Sequence, residues 1–76
     1  MKEIIVKILT ELRPEFDFSV DADFIEEGML DSFDLVNLVS DIENEFGVVI
    51  DGMDILPENF SSVENIESLI NRSKKR

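Results

Sequence analysis

The chain has 76 residues, a formal net charge of −11, and neither cysteine nor histidine. This composition excludes disulfide frameworks and metal sites built from thiolates or imidazoles. All seven basic residues lie near the two ends, whereas the segment 14–71 holds 16 of the 18 acidic residues and no base. A nucleic-acid partner is therefore not expected, because it would require a basic face. The acidic middle is either a solvated surface or a docking surface for basic proteins.

The length of the chain predicts a single domain spanning residues 1–76. The longest apolar run near the start, Ile4–Val6, is too short for a signal sequence, and no run approaches the length that a bilayer requires. We therefore expect a protein without membrane insertion that works in the cytoplasm.

The first predicted element is a helix from Lys2 to Arg13, which ends because Pro14 forces the residue before it out of helical geometry. Its apolar residues form one stripe at helical spacing: Ile4, Ile5, Ile8, Leu9 and Leu12. Residues 14–31 are expected to form a long loop with a turn at Gly28. The loop carries scattered apolar anchors: Phe16, Phe18, Val20, Phe24, Ile25, Met29 and Leu30.

A second helix is predicted from Ser32 to Phe46, with Asp31 as its N-cap and Gly47 as its C-terminal stop. Asp34, three residues after the cap, extends the capping pattern. On a helical wheel at about 100° per residue, this helix has two different faces. The inner face consists of Leu35, Leu38, Val39, Ile42 and Phe46.

The outer face of the second helix is predicted to carry an exposed aromatic ring among polar residues. Phe33 points almost opposite to the core, and Val36 lies at the edge between the faces. Polar residues line and flank this face: Asn37, Ser40, Asn44, Asp34, Asp41, Glu43 and Glu45. An exposed phenylalanine beside a helix-start serine and surrounded by acids favours a contact surface over incidental exposure.

The residues after the second helix predict one more long helix. Val48–Ile50 could form a strand, but a lone run of three residues without a partner is not expected to do so. A short helical turn is predicted around Asp54 to Asn59, followed by a helix that starts near Ser62 with a capping box of Ser61 and Glu64. Its apolar stripe consists of Val63, Ile66, Leu69 and Ile70. The fold class is therefore all-α, a small four-helix bundle with three main helices and one short helix.

Ser32 stands in the first turn of the second helix, where its role is open on these residues alone. Nucleophilic catalysis is not expected, because the chain has no histidine and every lysine lies near an end. A calcium loop beginning at Asp23 is not expected, because Ile25 stands where an oxygen ligand is needed. The helix start favours an anion such as a phosphate ester on the hydroxyl, but a merely capping serine fits as well.

The stretch GMLDSFDLVNLVSDIENEFGVVI, residues 28–50, resembles the acyl carrier protein superfamily, and the resemblance extends over nearly the whole chain. The attachment motif of that superfamily is Asp-Ser followed by a large apolar residue at the start of the second helix. The resemblance implies that a phosphopantetheinyl transferase esterifies Ser32 with the 4′-phosphopantetheine of coenzyme A. It also implies that Asp31 helps this transferase to hold magnesium, and that the thiol of the arm carries an acyl or aminoacyl group as a thioester.

The resemblance further implies partner enzymes with basic docking surfaces: the transferase, a loading enzyme and downstream transferases. The expected partner-binding residues are Met29, Phe33, Asp34, Val36, Asn37, Glu43 and Glu45. Phe33 replaces the usual leucine, and Asn37 and Ser40 stand where fatty-acid carriers often have glutamate and methionine, so the motif looks more like that of D-alanyl and peptidyl carriers. We expect a monomeric carrier that is not an enzyme and has no metal site. The alternative is an unmodified acidic adaptor for basic proteins.

Overall fold

The computed structural model describes all residues, 1–76, and is mostly helical. It contains three α-helices: α1 (Lys2–Leu12), α2 (Ser32–Phe46) and α3 (Val63–Arg72). Shorter elements follow α2 and α3: 3₁₀ helices at Gly52–Asp54 and Pro57–Phe60, and strands β1 (Val48–Val49) and β2 (Lys74–Lys75). The three main helices are confirmed, but the count of four is not, because the predicted short helix is a pair of 3₁₀ turns, a geometry used in short pieces.

The helix boundaries follow the local signals in the sequence. α1 ends at Leu12, one residue earlier than predicted, because Arg13 before Pro14 leaves helical geometry with φ −134° and ψ 79°. α2 begins and ends as predicted, and its C-cap Gly47 adopts the left-handed conformation with φ 63°. None of the helices combines the length and apolar character that crossing a bilayer requires.

The core is one cluster of 18 buried apolar residues to which all three helices and the long loop contribute. The predicted stripe of α3 is buried in full, whereas in α1 Ile4 is exposed and Leu12 half-buried. In the loop, the rings of Phe18 and Phe24 pack edge to face with centroids 5.0 Å apart. The Met29 N–H then donates to the Phe24 carbonyl at 2.9 Å, which closes a turn around Gly28. The packed loop thus fixes where the chain enters α2.

The expectation that Val48–Ile50 has no strand partner is wrong. β1 pairs with β2 in antiparallel register, Val48 opposite Lys75 and Val49 opposite Lys74. The N–H of Arg76 extends this pairing by donating to the Gly47 carbonyl at 2.9 Å. The partner strand is basic and follows α3 directly, so its composition carries no strand pattern.

The predicted cap of α3 is also corrected. The N-cap is Ser62, whose hydroxyl oxygen accepts the N–H of Asn65 at 3.0 Å. Ser61 instead donates its hydroxyl to the Glu58 carbonyl at 3.1 Å, within the turn that precedes the helix. The predicted capping box of Ser61 and Glu64 therefore does not form, because the serine that caps lies one residue later.

Candidate functional site

The start of α2 is held by a reciprocal pair of hydrogen bonds between Asp31 and Asp34. Asp31 is extended, and its Oδ1 accepts the N–H of Asp34 at 2.9 Å. In return, Asp34 Oδ2 accepts the N–H of Asp31 at 3.1 Å. This capping box confirms the predicted pattern and satisfies backbone donors that the first helical turn leaves free. It fixes the backbone on both sides of Ser32.

Ser32 occupies the first helical position, and its side chain is exposed to solvent. The capping hydrogen bonds are made by the two aspartates and do not involve the Ser32 hydroxyl. That hydroxyl is therefore available for esterification, and the N-terminal end of α2 favours the negative charge of a phosphodiester attached there. The neighbouring carboxylates of Asp31 and Asp34 are engaged by the cap and by Arg13, a donor only, and neither forms a hydrogen bond with the Ser32 hydroxyl. The arrangement therefore presents the hydroxyl without a base that is hydrogen-bonded to it.

Arg13, at the end of α1, links three carboxylates beside this site. Its Nε donates to Asp34 Oδ2 at 2.9 Å, and its Nη2 lies 2.8 Å from the same oxygen. Nη2 also donates to Asp31 Oδ2 at 3.2 Å, and Nη1 donates to Glu15 Oε2 at 3.2 Å. The guanidinium thereby offsets part of the negative charge next to Ser32. Hydrogen bonding to Asp34 and then to Glu15 raises the pKa of Arg13 above its ordinary value.

Asp34 is the one buried charged residue of the protein, with 4% of its surface exposed. Burial by itself raises the pKa of this carboxyl, but the hydrogen bonds from Arg13 and from the Asp31 backbone outweigh it, so that the pKa lies below its ordinary value of 3.8. Asp34 is therefore an ionised structural group that ties α1 to α2.

The outer face of α2 exposes Phe33, as the helical wheel predicted, and also Val36, which the wheel placed at the edge between the two faces. Phe33 is 75% and Val36 is 66% exposed, and a spacing of three residues places them side by side. Asn37, Asp41 and Glu45 are exposed as well. An exposed apolar pair next to the Ser32 hydroxyl and among acidic side chains is suited to contact with a partner protein.

Three of the expected partner-binding residues do not lie free on this surface. Met29 is buried because it anchors the loop in the core, and Asp34 is buried in the cap that it forms with Asp31. Glu43 is half-buried, since its Oε2 accepts the N–H of Ile50 at 2.9 Å and its Oε1 lies 4.0 Å from Arg76 Nη2. Within the chain, Met29 and Asp34 thus offer little accessible surface, whereas Glu43 keeps about a quarter of its side chain exposed.

Two features of the surface were not predicted from the sequence, the ion pairs of Arg13 and the exposure of Met53. Arg13 is the last base before Arg72 and directly precedes Pro14, so its isolation was a usable signal. Met53 is 84% exposed in the first 3₁₀ helix, where three residues give no periodicity to read. The acidic residues, including those of the calcium loop considered at 23–34, are not grouped in a way that could hold a metal ion.

The largest cleft, of about 760 Å³, lies between the start of α1, the long loop and the start of α3. Its walls include Val6, Val20 and Val63 but not Ser32. An arm on Ser32 would thus start from the open surface of the protein.

Comparison with known proteins agrees with this geometry. Residues 1–70 match the family model described as "Phosphopantetheine attachment site". Over 54 residues the chain is 41% identical to "Aminoacyl carrier protein 1" of Bradyrhizobium diazoefficiens, an alignment that covers 71% of this chain but only 59% of that protein. It is 41% identical over 58 residues to an "Acyl carrier protein" of Thermotoga maritima, covering 76% of this chain and 69% of the relative. It is 37% identical over 70 residues to an "Acyl carrier protein" of Petrotoga mobilis, covering 92% and 78%.

No solved structure matches the chain. The family match covers most of the sequence, including the whole of α1, α2 and the cap between them. The chain therefore belongs to the phosphopantetheine attachment family, within the acyl carrier protein superfamily, whose members are carriers with a covalent 4′-phosphopantetheine group and not enzymes.

Proposed function

We propose that Ser32 bears the 4′-phosphopantetheine arm and that the thiol of this arm carries an acyl or aminoacyl group as a thioester. The observation that carries the proposal is the exposed Ser32 hydroxyl, free of the capping hydrogen bonds, at the first position of a capped helix. Backbone N–H groups and the helix dipole at that position favour the phosphodiester. Asp31, directly before the serine, is the carboxylate that a transferase would use to hold its magnesium.

The remaining serines are less suitable as attachment points. Five have hydroxyls that are engaged in hydrogen bonds within the protein: Ser19, Ser61, Ser62, Ser68 and Ser73. Ser40 is exposed but lies in the middle of α2, where no free N–H groups would face a phosphate. Ser32 alone combines exposure with a helix start.

We further propose that partner enzymes approach along the outer face of α2. Phe33 and Val36 offer an apolar contact beside Ser32, and Asn37 and Glu45 lie farther along the same helix. A partner with an apolar recess and basic residues around it would complement this surface, and its encounter with a chain of net charge −11 would be accelerated. The transferase and the enzymes that load and unload the arm are the proposed partners.

The cargo is proposed as an acyl or aminoacyl group, since the relatives are named for both. Mass spectrometry of the protein purified from its native cells would identify the thioester directly. A monomer in the cytoplasm is part of the same proposal. Sedimentation equilibrium of the loaded carrier tests the monomer, and cell fractionation tests the location.

The attachment is tested by incubating the purified chain with coenzyme A, magnesium and a phosphopantetheinyl transferase of broad specificity. Intact mass should show one added arm, and peptide mapping should place it on Ser32. Ser40→Ala should still be modified. Addition at another residue would overturn the assignment to Ser32. No addition, while a known carrier in the same reaction is modified, would favour the unmodified acidic adaptor.

A further inference from the structure

Arg13 is distinguished from every other base of the chain by its place next to the attachment motif. No lysine or arginine occurs from Pro14 to Asn71, and the ion pairs of the other bases involve Glu64 and Glu43, away from the start of α2. The Arg13 side chain is only 32% exposed and lies across the acids on both sides of Ser32, Asp31 and Asp34. No other side chain can replace this positive charge.

The consequence for Asp31 is that both of its carboxylate oxygens are engaged. Oδ1 accepts the N–H of Asp34, and Oδ2 accepts a hydrogen bond from Arg13 Nη2 at 3.2 Å. Because Asp34 holds the same guanidinium at 2.8–2.9 Å, the donor that reaches Asp31 is itself fixed. Asp31 is exposed, with 61% of its side chain accessible, so without Arg13 its outer oxygen would be free to rotate away.

We propose, on the basis of attachment at Ser32, that Arg13 is a positioning residue for the loading of the arm. It holds the Asp31 carboxylate in one orientation and ties the end of α1 to the first turn of α2, so that the transferase meets a preorganised serine and carboxylate. The planar fork of arginine is needed because its donors must reach separate carboxylates at once. A lysine ammonium would stay with the buried Asp34 and release Asp31.

The test is a double-mutant cycle on the rate of arm addition. The apo forms of the wild type, Arg13→Gln, Asp31→Asn and the double variant are compared by kcat/KM, with the carrier as the varied substrate and one transferase. Asparagine caps helices as well as aspartate does, so Asp31→Asn keeps α2 intact. We expect Arg13→Gln to lower kcat/KM roughly tenfold or more, since small misplacements at a reacting group have large effects on rate. In the Asp31→Asn background the same change should have little further effect, because Arg13 acts through Asp31.

Two controls separate positioning from folding. Ile66→Val weakens the core of α3 away from the site and should load at the wild-type rate while folded. Arg13→Lys keeps the positive charge. It should slow loading in the wild-type background but not in the Asp31→Asn background. This variant provides the same test if Arg13→Gln does not fold. Equal rates for the wild type and both Arg13 variants, or an equal loss in both backgrounds, would overturn the proposal. Failure of the wild type itself to load would instead overturn attachment at Ser32.

Discussion

The starts of α2 and α3 are built from similar residues but use their serines in opposite ways. At α3 both serine hydroxyls are engaged in hydrogen bonds: Ser62 caps the helix by accepting the N–H of Asn65, and Ser61 donates to the Glu58 carbonyl. The side-chain amide of Asn65 also donates to Ser61 Oγ at 2.9 Å. At α2 two carboxylates make the cap, and Ser32 is left out of it. A serine at a helix start is thus free for chemistry only where another group makes the cap.

Charge separates the two helix starts as well. The first turn of α2 includes a buried carboxylate compensated by Arg13, whereas the cap of α3 is made of neutral groups. A neutral cap is sufficient to begin a helix. The buried ion pair at α2 does more, because it joins the end of α1 and Glu15 of the loop to the helical turn that bears Ser32.

The largest difference between the two starts is expected in loading. Ser32→Ala should abolish arm addition, because the ester oxygen is removed, and should leave stability nearly unchanged because the hydroxyl takes no part in the cap. Ser62→Ala should do the reverse, with normal addition and a loss of about 0.5–2 kcal/mol in the free energy of unfolding, the usual effect of removing an N-cap. Intact mass and urea denaturation of both variants measure the two effects. Full addition of the arm to Ser32→Ala would show that Ser32 is not the attachment residue.

Core substitutions should show that the two helices differ at their starts and not in their anchoring. Leu38 in α2 and Ile66 in α3 are both fully buried. Changing either to alanine should lower the free energy of unfolding by about 2–5 kcal/mol, since each change leaves a cavity. Urea denaturation of the two variants is the measurement. A much smaller loss for Leu38→Ala would mean that α2 is weakly anchored and that its register on the core differs from the one described.

The buried ion pair at the start of α2 gives that helix a dependence on pH that the neutral cap of α3 does not provide. Asp34→Asn should lower the free energy of unfolding at pH 7 by about 1–2 kcal/mol, the range for hydrogen bonds to a charged group reduced for partial solvent screening. The folded-state pKa of Asp34 lies below its ordinary value of 3.8, so its ionic contribution is complete above that pH and is lost as the pH falls through the folded-state pKa. The difference in the free energy of unfolding between the wild type and Asp34→Asn should therefore become smaller below about pH 4.

Denaturant midpoints of the two proteins between pH 7 and pH 2.5 would show this narrowing. Subtracting the variant from the wild type removes the titration of the other carboxylates. Ser62→Ala is the matched control, and its loss of stability should not change with pH in that way. A gap for Asp34→Asn that stays constant down to pH 2.5 would contradict a lowered pKa.

The sequence predicted the regular parts of this molecule because they depend on local signals. The boundaries of α2 follow from Asp31, Asp34 and Gly47, each acting within four residues of the helix ends. The exposure of Phe33 follows from the helical period alone. The candidate serine came from the same local pattern, with the family resemblance deciding between a capping and a modified residue.

What the sequence did not predict depends on contacts between distant residues. The strand pair joins Val48 to Lys75, and Asp34 forms its ion pair with Arg13 at the end of α1. A helical wheel assigns Asp34 to the outer flank because it treats α2 as an isolated cylinder, and it has no means of including α1. The partial burial of Glu43 was not predicted for the same reason, because the Ile50 N–H that donates to its carboxylate lies beyond the end of α2.

The smallest expected effect on stability concerns a comparison of Phe33, which follows Ser32, with Val63, which follows Ser62. Phe33 is 75% exposed, whereas Val63, after Ser62, is 8% exposed. Phe33→Ala should change the free energy of unfolding by no more than about 0.5 kcal/mol, as exposed substitutions usually do, while Val63→Ala removes part of a buried side chain whose burial contributes about 1.5–3 kcal/mol. Loading should show the opposite order, because an exposed aromatic ring can dominate a small interface: Phe33→Ala should slow arm addition, and folded Val63→Ala should not. A large loss of stability in Phe33→Ala would show that the ring belongs to the core, and normal loading with normal stability would remove Phe33 from the docking surface of α2.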